Sequence, residues 1–391
     1  MANSSASASE PTPDERRRAI LAAILTISAV GTGLSLMLPL LSLELERMGA
    51  SSTLNGLNTA VGGLANVLIA PLVPVLARRL GQKLFVATAL AVLIGSVLAF
   101  RLMPNIPVWF VLRFTFGGAI GALFVISEFW IAASAPEDRR GLIMGIYATV
   151  LALGFAAGPA ALALVGTVGW RPYLACAGLI TAALVPLWLV PGRLPAIDDG
   201  AHPKVLLLVK AAPIATLAAL VFGALESAAF SQLPVFGLRS GLAETSAALL
   251  VTWAALGNLA FQIPIGWLSD RVDRRFVLCG CAGLGGLGCL IMLLIPPHGL
   301  LFLVLLFVWG GITGAIYTVG LAHLGSRFSG GEIAVANAAF VVLYSLGMTV
   351  GPPLAGMAMD LAGAPGLPLG LGAMLLAYAL MAARRIAQTL R

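Results

Sequence analysis

Arg113, Glu128 and Glu226 stand inside long runs of apolar residues, where a charge needs an explanation. If those runs cross a bilayer, each such group costs at least about 2.5 kcal/mol to place there and requires a partner or a task. Glu226 lies about ten residues from the end of its run, roughly 15 Å deep at 1.5 Å per residue. Desolvation opposes charging a carboxyl at that depth, the condition under which it can carry a proton near neutral pH. The plainer reading is a static partner for a hydroxyl or for Arg113. Arg113 is about six residues into its run, roughly 9 Å deep. It can bind an anionic or carbonyl group of a ligand, neutralise Glu226, or snorkel to the interface. Glu128 stands near the far end of the same run, beside the loop carrying Arg78 and Arg79, and reads as half of a latch with Arg79 rather than as a ligand contact.

Uncharged polar residues form stripes at helical spacing: Ser28, Thr32 and Ser35; Asn58, Gly62 and Asn66; Asn258 and Gln262. Trp253, Tyr317 and Tyr344 add rings with a polar edge. Each alone reads as glue between helices. Together they suggest a cavity built for hydrogen bonds and stacking, with Arg113, Ser35, Asn258, Gln262, Trp253, Tyr317 and Tyr344 as the candidate ligand contacts. His323 reads as interfacial. The four cysteines lack CxxC spacing and read as buried small apolar residues, so no metal and no cofactor is expected.

The elements that must position these groups follow from composition. Of 391 residues 60% are hydrophobic and only 10% charged, which excludes a water-soluble globular domain. A hydrocarbon layer of about 30 Å needs roughly 20 apolar residues per helix. Runs bounded by Gly, Pro or charge place twelve helices, at 19–41, 54–77, 84–103, 107–132, 141–165, 170–190, 209–236, 246–268, 275–296, 299–323, 334–359 and 366–385. Residues 1–18 read as a disordered tail ending in Arg16, Arg17 and Arg18. Residues 19–190 read as one six-helix bundle, 191–208 as a linker, 209–385 as a second bundle and 386–391 as a short tail. Eighteen basic residues fall on the side of the termini, against Arg47, Arg101, Arg171 and Arg239 on the other. That asymmetry predicts cytoplasmic termini in a bacterial inner membrane, and it accounts for the net charge of +7 without nucleic acid.

Three patterns recur at nearly one offset, the signature of a duplicated unit. Pro74 to Lys83 (PVLARRLGQK) matches Gly266 to Arg275 (GWLSDRVDRR), 192 residues on. GGxxGA at Gly117, Gly118, Gly121 and Ala122 returns at Gly310, Gly311, Gly314 and Ala315, and GxxxGP at Gly154, Gly158 and Pro159 returns at Gly347, Gly351 and Pro352, both 193 residues on. Parallel halves related by an axis along the membrane normal form a transporter architecture.

At these residues the chain resembles the major facilitator superfamily, over about Arg18 to Arg385. The run with Gly266, Asp270, Arg271, Arg274 and Arg275 is similar to that family's loop signature, GxLaDrxGrk. The first copy departs from it: Pro74 and Arg78 replace the usual glycine and aspartate, while Arg79, Gly81 and Lys83 fit. Arg113 with Gly117 resembles a second family motif, GxxxGP a third, and spacing overall looks most like the YcaD-like branch of small bacterial members. The resemblance implies helices 1, 4, 7 and 10 around a central cavity, helices 2, 5, 8 and 11 as the rocking interface, and helices 3, 6, 9 and 12 outside. It also implies a gating role for Arg79, Gly81, Glu128, Gly266, Asp270, Arg271 and Arg274, with Asp270 set against the amino terminus of helix five, where the helix dipole favours a carboxylate.

The expected activity is proton-linked secondary transport of a small, neutral or weakly acidic, hydrogen-bonding solute such as a vitamin or metabolite with a planar, riboflavin-like ring. The partners expected are that solute, the proton and the lipid bilayer, with the protein a monomer. Efflux of drugs or toxic compounds is the competing transport reading, since GxxxGP on helix five is typical of the family's antiporters. A non-transporting receptor or scaffold is the alternative of another class. No phosphate loop, HExxH, GxSxG or His/Cys cluster is present, so an enzyme is disfavoured.

Overall fold

The structure is a computed structural model that describes residues 12–136, 139–190, 194, 212–327 and 331–389. Among the described residues the fold is all helical, and twelve helices are long and apolar enough to cross a membrane. They are α1 (Pro13–Arg47), α2 (Ser52–Leu80), α3 (Gln82–Leu102), α4 (Ile106–Ser134), α5 (Arg140–Val165), α6 (Arg171–Trp188), α7 (Pro213–Arg239), α8 (Glu244–Ser269), α9 (Arg274–Met292), α10 (Leu300–Gly325), α11 (Gly331–Ala362) and α12 (Gly366–Thr389).

Local chemistry sets the ends. Ser51, Asn105 and Asp273 accept from the first-turn N–H groups of α2, α4 and α9. Gly81 stops α2 with φ +81°, a conformation that favours glycine. α1 starts at Pro13, six residues before the apolar run, because Thr12 and Glu15 form a reciprocal capping box. Residues 13–18, expected in the tail, are therefore helical. Residues 1–11 and most of the expected linker lie outside the described residues.

Large apolar side chains stand almost bare on the outside, with Leu164 at 89%, Trp188 at 90% and Leu361 at 87% exposure. Water would penalise this surface; lipid does not. Each half has a large apolar core, and a smaller third cluster joins α7, α10 and α11. Ile27, Leu40, Phe100, Trp109 and Trp130 belong to the core of α1–α6, while Phe222, Phe236, Phe302, Leu375 and Tyr378 belong to that of α7–α12.

Close approach of backbones repeats at the sequence offset. A methyl group built on Gly158 of α5 would strike Ser35 and Leu36 of α1, and one on Gly351 of α11 would strike Ala224 of α7. Likewise Gly121 of α4 abuts Asn66 of α2, and Gly314 of α10 abuts Asn258 of α8. Small residues are what permit this, since lipid supplies no hydrophobic drive between helices. The halves meet where α2 packs on α11 and α5 on α8, with Gly56 against the Pro352 backbone and Thr252 donating to the Ala156 carbonyl at 3.2 Å.

Candidate functional site in the central cavity

A cavity of about 510 Å³ lies between the halves, within the range of small-molecule sites. Its walls come from α1, α2, α4, α5, α7, α8, α10 and α11, and none of its lining residues belongs to α3, α6, α9 or α12. The expectation of helices 1, 4, 7 and 10 as lining therefore widens: the interface helices line the cavity as well.

Bonds between the halves cluster at the end opposite the termini. The Arg239 guanidinium of α7 donates to both oxygens of Glu46 on α1, at 2.8 and 3.0 Å. Arg47 of α1 pairs with Glu244 of α8, and Thr167, after α5, bonds to both. Asp360 of α11 accepts from the backbone N–H groups of Ser52 and Thr53 at 2.8 Å each and from the Thr53 hydroxyl at 2.6 Å. Those N–H groups open α2 and have no acceptor within their own helix. The cavity runs from beneath this closure toward the terminal end, where Glu128, Tyr147 and Gln262 line it.

Glu226 is on the wall, and its Oε2 accepts from the Tyr344 hydroxyl. Tyr344 is held by rings, stacked on Phe222 with centroids 6.1 Å apart and edge-on to Tyr317 at 5.5 Å. Glu226 thus has a hydroxyl as partner, and no ion pair joins it to Arg113 among the described residues. Arg113 does not snorkel, and among the described residues it pairs with no carboxylate. It is 2% exposed, its Nη2 donates to Thr59 Oγ1 at 3.3 Å, and its Nη1 has no partner. Gly62 makes the room: a Cβ there would stand 3.6 Å from Nε.

Glu128 also lines the cavity, and its Oε1 accepts from the Tyr147 hydroxyl at 3.1 Å. No ion pair links it to Arg79 among the described residues. Asn258, Gln262, Tyr317 and Tyr344 lie on the wall, with Gln262 donating to Asn258 at 3.3 Å. Two expected contacts are not there. Ser35 is fully buried between α1 and α5, where its hydroxyl donates to the Gly154 carbonyl at 3.1 Å, because the α5 glycines draw the two backbones together over it. Trp253 packs on the second core instead of the cavity. Composition pointed to neither Tyr147 nor Asp360 as a partner, since each meets its acceptor or donor only through the fold.

A family profile described as Major Facilitator Superfamily matches residues 20–251 and 215–389. The chain belongs to this superfamily. An uncharacterised transporter of the same type from Bacillus subtilis (strain 168), YfkF, is 26% identical over 344 residues, covering 86% of this chain and 88% of its own. Another, YE1530 of Yersinia enterocolitica, is 25% identical over 261 residues, 64% of this chain and 65% of its own. Among solved structures, nucleoside transporter NupG superposes with TM-score 0.75 at 13% identity, covering 95% of this chain and 98% of its own. A bacterial homologue of the human lysosomal transporter Spinster, inward-facing and occupied, does so with TM-score 0.75 at 15% identity, covering 96% and 98%.

In this facilitator the second signature loop bonds to α8, α9 and α10. Asp270 pairs with Arg274 at 3.2 Å, Arg274 also donates to the Ala322 carbonyl of α10 at 3.0 Å, and Arg271 lies 3.6 Å above the Trp267 ring. The described partner of Asp270 is thus Arg274, not the start of α5. Nothing lies within 4 Å of where a Cβ on Gly266 would stand. The motif glycines of α5 and α11, Gly154, Gly158, Gly347 and Gly351, all press on α1 or α7 in the same way.

Proposed function

We propose that this superfamily transporter carries a small polar organic solute by alternating access, coupled to the proton through Glu226. In this reading the basic residues on the side of the termini face the cytoplasm of a bacterial inner membrane, the end with the Asp360 and Arg239 contacts faces outward, and the cavity opens inward. The observation that carries the reading is a half-buried carboxyl, Glu226, set in the wall of a cavity that is closed at one end and bonded to a tyrosine hydroxyl. A carboxyl so placed exchanges a proton with the open side and alters its bonding to Tyr344 as it does so. Two states of one bond in the wall are what a coupled carrier needs.

Net uptake is the direction proposed, of a neutral or weakly acidic vitamin or metabolite. A riboflavin-like ring would suit the aromatic walls, and the YcaD-like branch of small bacterial facilitators is the proposed subgroup. The monomer is complete for this purpose, since both halves of the cavity come from one chain. The helix-five motif lends efflux no separate support, because its glycines do the same packing as their copies on α11. The test uses proteoliposomes with an imposed pH gradient. Glu226→Gln should abolish proton-driven accumulation and leave counterflow exchange; a mutant with unchanged pH dependence removes Glu226 from the mechanism.

A further inference from the structure

Within that transport reading, we infer that the substrate is an organic monoanion, a carboxylate on an apolar or aromatic body, and that Arg113 is its anchor. A guanidinium stays charged in proteins and carries five donors. Here it is buried against the cavity with one bond, to the neutral Thr59 hydroxyl, and with Nη1 unpartnered. Buried charges are ordinarily paired and hydrogen-bonded. The two carboxyls of the cavity do not serve: Glu226 is engaged by Tyr344, and Glu128 by Tyr147. Glu128 is also fifteen residues along the same helix, about 22 Å away at 1.5 Å per residue. A carboxylate in the cavity can take the open side of the fork, where charge-assisted bonds are strong.

The wall next to Arg113 sets the rest of the ligand. Phe116, Ile120 and Phe124 continue the same face of α4 along the cavity, and Phe155 of α5 and Phe230 of α7 add two more rings to its lining, edge-on to each other with centroids 5.6 Å apart. An apolar or aromatic body fits there. A single guanidinium balances a single negative charge; a dianion would leave one charge buried without a partner. The neutral-or-weakly-acidic solute expected from sequence thus narrows to the acid.

The test measures thermal stabilisation of the purified full-length transporter by matched pairs, 4-phenylbutyrate against 4-phenylbutanamide and a series of alkyl and aryl acids against their amides. The acids should stabilise the wild type and the amides should not. Arg113→Gln should weaken acid binding by about 30-fold, the cost of one charge-assisted bond, while Arg113→Lys, which keeps the charge but not the fork, loses less. Equal binding of acid and amide, no stabilisation by any acid, or undiminished acid binding by a folded Arg113→Gln protein overturns the inference. If Arg113→Gln does not fold, the acid and amide pairs on wild type and Arg113→Lys decide it. An acid that binds but shows no flux in proteoliposomes under a pH gradient defeats the transport reading alone.

Discussion

Removing the Asp360 carboxylate should unclasp the outer end. Asp360 bridges the halves by accepting two backbone N–H groups at the start of α2. At a partly exposed position such a bond contributes about 1 to 1.5 kcal/mol net. Two together contribute about 2 to 3 kcal/mol, or a factor of about 30 to 150 in the ratio of closed to open states. The Thr53 hydroxyl is left out of the sum because it can turn to water. Asp360→Ala should lower the ratio by that factor, and Asp360→Asn, which keeps one acceptor oxygen, by less. Spin labels on the α1–α2 and α7–α8 loops would report the distance between the halves. Where the open state is too rare to see, labelling of Asn55→Cys by an impermeant reagent serves instead, since Asn55 is buried under the clasp at 3% exposure. Its rate should rise by the same factor. A folded Asp360→Ala protein with unchanged distances and unchanged labelling would refute the assignment of Asp360 to the gate.

Two further outcomes concern packing and a helix start. Gly351→Leu should cost about 2 kcal/mol or more and lower the melting temperature, because the side chain meets the Ala224 backbone, whereas Gly266→Leu should fold normally, having nothing within 4 Å. Asp273→Ala should cost about 1 kcal/mol through loss of the α9 cap, read as a lower melting temperature. The Arg275 guanidinium beside Asp273 holds its carboxyl below the usual range, so the cap is present above about pH 4 and lost as pH falls through the depressed value. The melting difference between Asp273→Ala and wild type should therefore close only in stronger acid.

The fold was legible because lipid leaves few choices. Every backbone polar group must be satisfied within its own segment, so apolar length alone marked twelve helices. Gly158 and Gly351 announced their packing roles through the repeat, since the same close contact recurs in both halves. Glu226 and Arg113 were legible as exceptions, each a charge where charge is costly. Their partners were not. Tyr344 lies 118 residues from Glu226, and Tyr147 meets Glu128 from another helix, separations that no periodicity encodes.

What the chain determined by itself was the set of helices, their duplication and which side chains needed an explanation, because those follow from the cost of moving each residue from water to lipid. Which way a helix turns its faces is decided by neighbours that only the packed bundle supplies. Ser35 and Leu34 are adjacent, yet one is sealed under the Gly154 carbonyl and the other faces the cavity. The clasp of Asp360 on α2 likewise exists only where two distant helix ends meet, since two of its three donors are backbone groups that no side-chain pattern reveals.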